Sequence, residues 1–307
     1  MVSGPSSPVP LAVARIKRDS GCVRLENWHW RARIGFSSHG VQTILQVTEP
    51  AALVPIKLRL PPGWREIQES AGDPQYSLVV GNDSAPPGLE RLHLLFRGRL
   101  LISAAYKLEP VLGALEAELD RRVGVSVSQD RLFIQAGAVG WRGRAIVVKG
   151  PAHFEISALV AALLRAGASY YSDRYAVLDS LGRIHPYPRP LWLRRGTYGN
   201  PIRYRPEDLG AKVGIKPLPL TTVVFASLRP GAQTRFFPVG RFAAAMELTA
   251  DTLLSRHDPN AIPPAISKAL ARASILKGVC GEPEDILNLL PGSAAADKGT
   301  RLNLSLR

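Results

Sequence analysis

The first third of the chain alternates short apolar runs with polar turn residues, a pattern typical of β-structure. Three segments predict strands: VQTILQV (41–47), PIKLRLP (55–61) and RLHLLFRGRLLIS (91–103). The third predicts a hairpin that turns at Arg97–Gly98. From Leu108 to Leu119 the apolar residues recur at helical spacing, and Pro110 suits a first helical turn. We therefore expect a small β-rich N-terminal region that ends with a helix.

The rest of the chain alternates predicted strands with predicted helices, which indicates an α/β domain with a mixed sheet. The segment 131–150 predicts two strands joined around Trp141-Arg142-Gly143. Further strands are predicted in ASYYSDRYAVLDSLGRIHPYP (168–188) and TTVVFASL (221–228). Helices are predicted in ISALVAALLRAG (156–167), RFAAAMELTADTLLSR (241–256), PPAISKALARA (263–273) and EPEDILNLL (282–290). Gly167 is a plausible C-terminal stop for the first of these helices.

Composition and length set the domain organisation. The chain has 307 residues, of which 46% are hydrophobic, so it can bury the cores of two ordinary domains. We expect four segments: a disordered tail (1–20), the β-rich region with its helix (21–125), the α/β domain (126–292) and a second disordered tail (293–307).

Charge and cysteine usage narrow the class of protein. Lys and Arg exceed Asp and Glu by 39 − 25 = 14, which favours an anionic partner. Cys22 and Cys280 are far apart and have no metal-ligand spacing, which fits a reducing compartment. No apolar run reaches the roughly 20 residues of a membrane helix. We therefore expect a cytoplasmic protein that does not bind membranes.

The segment IVVKGPAHFEISALVAALL (146–164) has the frame of a phosphate-binding loop, with a buried strand, a glycine, a short loop and a helix. Counted from Gly150 in the pattern G-x-x-x-x-G-K-[ST], Glu155 replaces the second glycine and Ile156 replaces the lysine. Gly150 keeps the place of the first glycine and would contact the nucleotide, and Ser157 keeps its role as the hydroxyl that would bind Mg²⁺. Glu155 is expected to be strained there, because the loop needs positive φ. The pattern therefore predicts weak or lost binding of ATP.

Four other residues are candidates for the same site. Lys149 and Arg174 could supply the missing cation, and His153, expected in the loop, could contact an anion. Asp173 could accept the proton of a substrate hydroxyl. Each also has a plain structural interpretation, as an exposed surface residue or, for Asp173, as a turn residue at a strand end.

Several stretches resemble bacterial proteins related to HPr kinase/phosphorylase, which share the phosphoenolpyruvate-carboxykinase-like P-loop fold. The resemblance covers roughly residues 90 to 290, and it is carried by LFIQAGAVGWRGRAIVV, RAGASYYSDRYAVLD, GRIHPYPRPL, GIKPLPL and LKGVCGE. It implies a mixed sheet with a P-loop and transfer of a phosphoryl group from ATP, with Mg²⁺, to a serine hydroxyl. The match is to an uncharacterised branch of these relatives.

Carried over position by position, the resemblance implies a degenerate site. The histidine of the family's first core strand falls on Gln135, the second P-loop glycine on Glu155 and the P-loop lysine on Ile156. The hydroxyl that binds Mg²⁺ falls on Ser157. The family's acidic pair falls on Asp173, which keeps the position of the catalytic base, and on Arg174, where the charge is reversed.

A second feature is a run of six arginines without an acidic residue: Arg183, Arg189, Arg194, Arg195, Arg203 and Arg205. Trp192, Tyr198 and Tyr204 are interleaved with them. Such a segment could bind an acidic protein or peptide, or it could be a solvated, proline-rich connector. No DNA- or RNA-binding motif accompanies it, so a nucleic-acid partner is not expected.

Three hypotheses on function follow. The first is a pseudokinase or weak nucleotide binder with a binding or regulatory role. The second is an active ATP-dependent serine kinase with a non-standard loop, and the third is a basic interaction module that binds no nucleotide. The sequence leaves the oligomeric state open.

Overall fold

A computed structural model describes residues 28–68, 72–81, 91–194, 199–253 and 263–290. The chain divides into two compact units, Met1–Val123 and Gly124–Arg307. Both contain helices and strands in the described residues, so the expectation of a mixed α/β protein is confirmed. The tails predicted for 1–20 and 293–307 lie outside the described residues, as do the last three residues of the helix predicted for 241–256. That helix is shorter than predicted, since it ends at Ala250 and Thr252–Leu253 is a strand.

The described residues of the first unit form one six-stranded sheet, a 3₁₀ helix (Pro50–Ala52) and two α-helices, the second of which ends three residues beyond Val123. Its strands are β1 (Ala32–Ser38), β2 (Val41–Val47), β3 (Arg65–Glu66), β4 (Tyr76–Val79), β5 (His93–Arg97) and β6 (Leu100–Ala105). Their order in the sheet is β3-β1-β2-β4-β5-β6. The helices are α1 (Leu53–Lys57) and α2 (Leu108–Ser126). The predicted hairpin and the helix predicted from Leu108 are confirmed, but the hairpin turns at Gly98–Arg99 instead of Arg97–Gly98, since Arg97 pairs with Leu100.

The strand predicted for PIKLRLP is wrong, because residues 53–57 form helix α1. Ile56 and Leu60, four residues apart, are buried in the core, whereas Leu58 is 71% exposed. In a strand these three residues would lie on one face, but the chain turns after α1 ends at Lys57, so Leu58 is exposed while the other two are buried.

The second unit contains a larger mixed sheet and three α-helices. Its strands are β7 (Arg131–Gln135), β8 (Gly137–Trp141), β9 (Arg144–Lys149), β10 (Ser169–Ser172), β11 (Tyr175–Asp179), β12 (Arg183–His185), β13 (Leu191–Arg194), β14 (Pro201–Tyr204), β15 (Leu218–Leu228), β16 (Arg235–Pro238), β17 (Thr252–Leu253) and β18 (Ser274–Cys280). The helices are α3 (His153–Arg165), α4 (Arg241–Ala250) and α5 (Pro264–Leu270), and Pro283–Leu289 forms a 3₁₀ helix. None of the described helices is long and apolar enough to cross a membrane.

The strands of the second unit pair in the order β10-β8-β9-β15-β12-β11-β7-β17. Strands β13 and β14 form a separate hairpin. The segment 131–150 holds three strands instead of the two predicted, since the chain leaves β7 at Ala136 and enters β8, which lies elsewhere in the sheet. The turn predicted around Trp141-Arg142-Gly143 is confirmed between β8 and β9.

Three neighbouring strands, β9, β15 and β18, run parallel. Phe225 of β15 pairs with Lys149 at the end of β9, and Leu228 pairs with Cys280 at the end of β18. The carboxyl ends of the three strands therefore meet at one edge of the sheet. Cys280 is fully buried there, and burial raises the pKa of its thiol to about 12. In open α/β sheets this edge is where ligands bind.

Candidate functional site

The loop between β9 and α3 consists of Gly150, Pro151 and Ala152, and α3 begins at His153. A P-loop of the predicted pattern has five residues between its first glycine and its lysine, most of which wrap the phosphates. Here three of those five positions, including His153 and Glu155, belong to the helix. The expectation that His153 lies in the loop is therefore wrong, since it is the first helical residue.

Glu155 lies in the first turn of α3, and its backbone is not in the left-handed region. The predicted strain at this position is therefore absent, because the helix has replaced the bend that needs glycine. The Glu155 carboxylate accepts a hydrogen bond of 2.9 Å from the backbone N–H of Leu228, at the end of β15. It thus joins the start of the helix to the edge of the sheet.

Ile156 stands where a P-loop lysine would be, and its side chain is only 2% exposed. It belongs to an apolar cluster that includes Val139, Val148 and Val160. A Cβ built on Gly137 would lie 2.8 Å from Ile156, which shows how closely β8 approaches the helix. The side chain at position 156 therefore points into the core, where a charged group would be costly.

Ser157 and Asp173, two of the predicted site residues, are brought together in a buried network. The Ser157 hydroxyl donates to the Asp173 carboxyl group over 2.6 Å, and its oxygen also lies 3.0 Å from the His153 carbonyl. The other oxygen of Asp173 lies 2.9 Å from the Tyr170 hydroxyl, which lies 2.7 Å from the Arg189 carbonyl. Ser157, Asp173 and Tyr170 are at most 2% exposed.

The proton count of this network favours a neutral Asp173. Tyr170 has one hydroxyl proton and two neighbouring oxygens, those of Asp173 and Arg189. If Asp173 is protonated, it can donate to Tyr170 while Tyr170 donates to the Arg189 carbonyl, so both of these contacts of the Tyr170 hydroxyl are satisfied. Consistently, burial raises the pKa of Asp173, although hydrogen bonds from Ser157 and Tyr170 oppose the shift.

Three further predicted residues, Lys149, His153 and Arg174, lie in one electrostatic cluster. Burial lowers the pKa of His153, the charges of Arg174 and Lys149 lower it further, and Asp251 raises it. Lys149 forms an ion pair of 2.9 Å with Asp251, which caps the end of α4. Sequence reasoning missed Asp251, because nothing in the local pattern connects it with a lysine about one hundred positions earlier.

Gly150 lies close to its neighbours, since a Cβ at this position would be 3.0 Å from the Ala226 carbonyl oxygen. Beside it, at the carboxyl edge of β9, β15 and β18, is a cavity of about 200 Å³. Its lining consists of Lys149, Gly150, Pro151, Phe225, Ala226, Ser227, Glu247, Lys277 and Gly278. The cavity therefore has cationic, anionic and apolar walls.

The described part of the arginine-rich segment contains the paired strands β13 and β14. Arg194 stacks 4.5 Å from the centre of the Phe154 ring, and Arg203 stacks 5.5 Å from that of Trp192. Of the other arginines, Arg189 is buried, while Arg183 and Arg205 pair with nearby aspartates. Arg195 and Tyr198 lie outside the described residues.

The residues at the loop do not fit Mg·ATP in the usual P-loop pose. That pose requires a lysine on the phosphates and an accessible hydroxyl for Mg²⁺. Position 156 instead holds a buried isoleucine, and the Ser157 hydroxyl is buried against Asp173. In the part of the chain that the structure describes, no three His, Cys, Asp or Glu residues are grouped so that they could hold a metal ion.

In comparisons with known proteins, no family model and no curated protein matches the chain.

Proposed function

We propose that this protein is a non-catalytic relative of HPr-kinase-like enzymes, with a binding or regulatory role. The proposal rests on the three positions that would contact phosphate or Mg²⁺ in a P-loop, because here all three side chains contact other parts of the protein. Glu155 bonds to the end of β15, Ile156 packs in the core, and Ser157 bonds to Asp173. A side chain engaged in this way contributes little to binding phosphate.

The contact between Ser157 and Asp173 supports a kinase-like origin of the scaffold. In P-loop enzymes a serine or threonine of the loop and an aspartate of another strand together hold Mg²⁺. Here a serine near the start of α3 and an aspartate after β10 are 2.6 Å apart. With Asp173 only 1% exposed, a substrate hydroxyl cannot reach it in this structure. This favours the pseudokinase over the active serine kinase.

Titration of the full-length protein with Mg·ATP, followed by calorimetry, tests the proposal. We expect no saturable binding and no formation of ADP, because the cation at position 156 is missing. Glu155→Gly/Ile156→Lys should not restore binding, since a lysine at the buried position destabilises the fold.

Ser157→Ala is the control for the alternative function. If the wild-type protein binds Mg·ATP with micromolar affinity and Ser157→Ala abolishes that binding, the non-catalytic proposal is wrong. The active kinase with an altered loop then becomes the better hypothesis, with Ser157 on Mg²⁺ and Asp173 as the base.

The stacked arginines suggest a partner for the binding role. Phe154 is 45% exposed beneath Arg194, and Ile202 on β14 is 41% exposed. Arginine over an exposed ring presents a cation and an apolar surface together. With a net charge of +14, this combination suits an acidic protein or peptide.

A fluorescent glutamate-rich peptide that carries aromatic residues tests this role by anisotropy. We expect Arg194→Glu to weaken its binding about tenfold, whereas Arg144→Glu, the same charge change at an exposed position at the end of β9 away from α3, should have a smaller effect. Equal effects of the two substitutions would show that only the net charge matters.

A further inference from the structure

The size and the position of the cavity at the carboxyl edge of β9, β15 and β18 both indicate a binding site for a small ligand. Its volume of about 200 Å³ lies below the roughly 300–1,000 Å³ of pockets that enclose drug-sized ligands. It therefore suits a ligand of a few heavy atoms. The carboxyl edge of parallel strands is also the usual place for a ligand in an α/β sheet.

Two lysines contribute cations to the wall of this cavity. Lys149 comes from the end of β9 and Lys277 from β18. The Lys149 side chain is 14% exposed, so its charge is only weakly screened by water. The Lys277 ammonium group lies 5.7 Å from the centre of the Phe225 ring, a contact that orients the side chain along the cavity wall.

Each lysine forms an ion pair with a carboxylate, and both carboxylates come from α4 and its C-cap. Lys149 lies 2.9 Å from Asp251, and Lys277 lies 2.8 Å from Glu247. Glu247 is on α4 and Asp251 is its C-cap, so the two carboxylates are one helical turn apart. The protein thus places two carboxylates against the two cations, and a ligand with two carboxylates has matching chemistry.

The internal carboxylates can be displaced without unpacking the helix. The side chains of Glu247 and Asp251 are each 37% exposed, and ion pairs this accessible contribute little to stability. Helix α4 is held by other residues, with Ala244, Ala245 and Leu248 buried in the core. Both acidic side chains can therefore turn to solvent while the backbone remains in place.

We propose that this cavity binds a small dicarboxylate, whose two carboxylates replace those of Asp251 on Lys149 and Glu247 on Lys277. The bonds formed are charge-assisted hydrogen bonds from the two ammonium groups. This proposal concerns a ligand other than a nucleotide, and it does not depend on the kinase-like origin of the scaffold.

Calorimetry on the full-length protein, with succinate and acetate as probes at constant ionic strength, tests the proposal. We expect succinate to bind about tenfold or more tightly than acetate, because it engages both lysines. Lys149→Met and Lys277→Met should each weaken succinate binding about tenfold. Asp251→Asn and Glu247→Gln should strengthen it several-fold, because each removes an internal competitor.

Lys212→Met is the matched control, since Lys212 is exposed and lies outside the cavity lining. It should leave succinate binding unchanged. The proposal is overturned if succinate binds no better than acetate, or if Lys212→Met weakens binding as much as Lys149→Met. Should the lysine variants fail to fold, the two gain-of-affinity variants decide, because misfolding cannot raise affinity. The Mg·ATP titration is a separate experiment, so either proposal can fail alone.

Discussion

The buried Asp173 carboxyl group joins two parts of the second unit through Ser157 on α3 and Tyr170 on β10. Its neutral form satisfies both acceptor contacts around the Tyr170 hydroxyl, whereas an ionised form leaves Tyr170 with one proton for two acceptors. An amide has the same shape and can donate to Tyr170 while accepting from Ser157. The role of Asp173 is therefore one that asparagine can take over.

We expect Asp173→Asn to change the free energy of unfolding by less than about 1 kcal/mol, and Asp173→Ala to cost about 2–3 kcal/mol through unsatisfied buried groups. The folded pKa of Asp173 lies above its ordinary value of 3.8. The folded state therefore binds the proton more tightly, and wild-type stability falls as pH rises from 3.8 through the raised pKa. Asp173→Asn should lack this fall. Urea unfolding followed by circular dichroism measures both effects.

Asp130→Asn serves as the control for that experiment, since Asp130 is exposed. It should leave both the stability and its pH dependence almost unchanged. If asparagine at position 173 proves as damaging as alanine, the network requires a charged carboxylate and the proton count given above is incorrect.

The sequence predicted some of this site and could not predict the rest. The loop frame singled out Ser157 and the family resemblance singled out Asp173, and the structure places the two in contact. The bond from Leu228 to Glu155 spans 73 residues, and the pair of Lys149 with Asp251 spans about one hundred. Local patterns carry no information on such contacts, because they arise only when separate strands meet at one edge.

At the scale of elements, two hairpin turns hold a non-glycine residue in the left-handed region. His39 has φ 51° before Gly40 in the β1–β2 turn, and Arg142 has φ 47° before Gly143 in the β8–β9 turn. Two-residue turns of this kind need positive φ at both positions, which asparagine accepts more readily than histidine or arginine.

We expect His39→Asn and Arg142→Asn to raise the free energy of unfolding by about 0.5–1 kcal/mol each. The gain at position 142 should be the smaller, because Arg142 also stacks 5.8 Å from the centre of the Trp141 ring. Thermal unfolding measures the change, with Arg144→Asn on strand β9 as a control that should give no gain. Unchanged stability in both turn variants would mean that the turns are not strained.

Periodicity was most informative for elements with one clear buried face. Helix α2 follows its predicted apolar positions, with Val111, Leu112 and Leu115 all buried. Periodicity gave the wrong prediction at α1. There Ile56, Leu58 and Leu60 show the alternation of a strand, but tertiary packing favours a short helix. Periodicity also failed at Ala136, since a change of position within the sheet leaves no mark in hydrophobicity.

At the scale of the whole molecule, each unit has its own apolar core. Leu45 belongs to a core cluster of the first unit and Leu163 to one of the second, and both are fully buried. Separate cores give each unit its own source of stability.

We expect calorimetric unfolding to show two transitions. Leu45→Ala should lower the midpoint of one and Leu163→Ala that of the other, each at a cost of about 2–5 kcal/mol. Leu58→Ala, at a residue that is 71% exposed, should leave both midpoints nearly unchanged. A single transition that both core variants shift would show that the units unfold together.

The buried thiol of Cys280 has a practical consequence for measuring motion at the carboxyl edge of the sheet. A thiol with a pKa of about 12 and no exposed surface reacts with alkylating agents only while the strand that carries it is open. In a Cys22→Ser background, the labelling rate of Cys280 therefore counts openings of β18. Because Lys277 lies on the same strand, a dicarboxylate bound in the neighbouring cavity should slow the alkylation of Cys280.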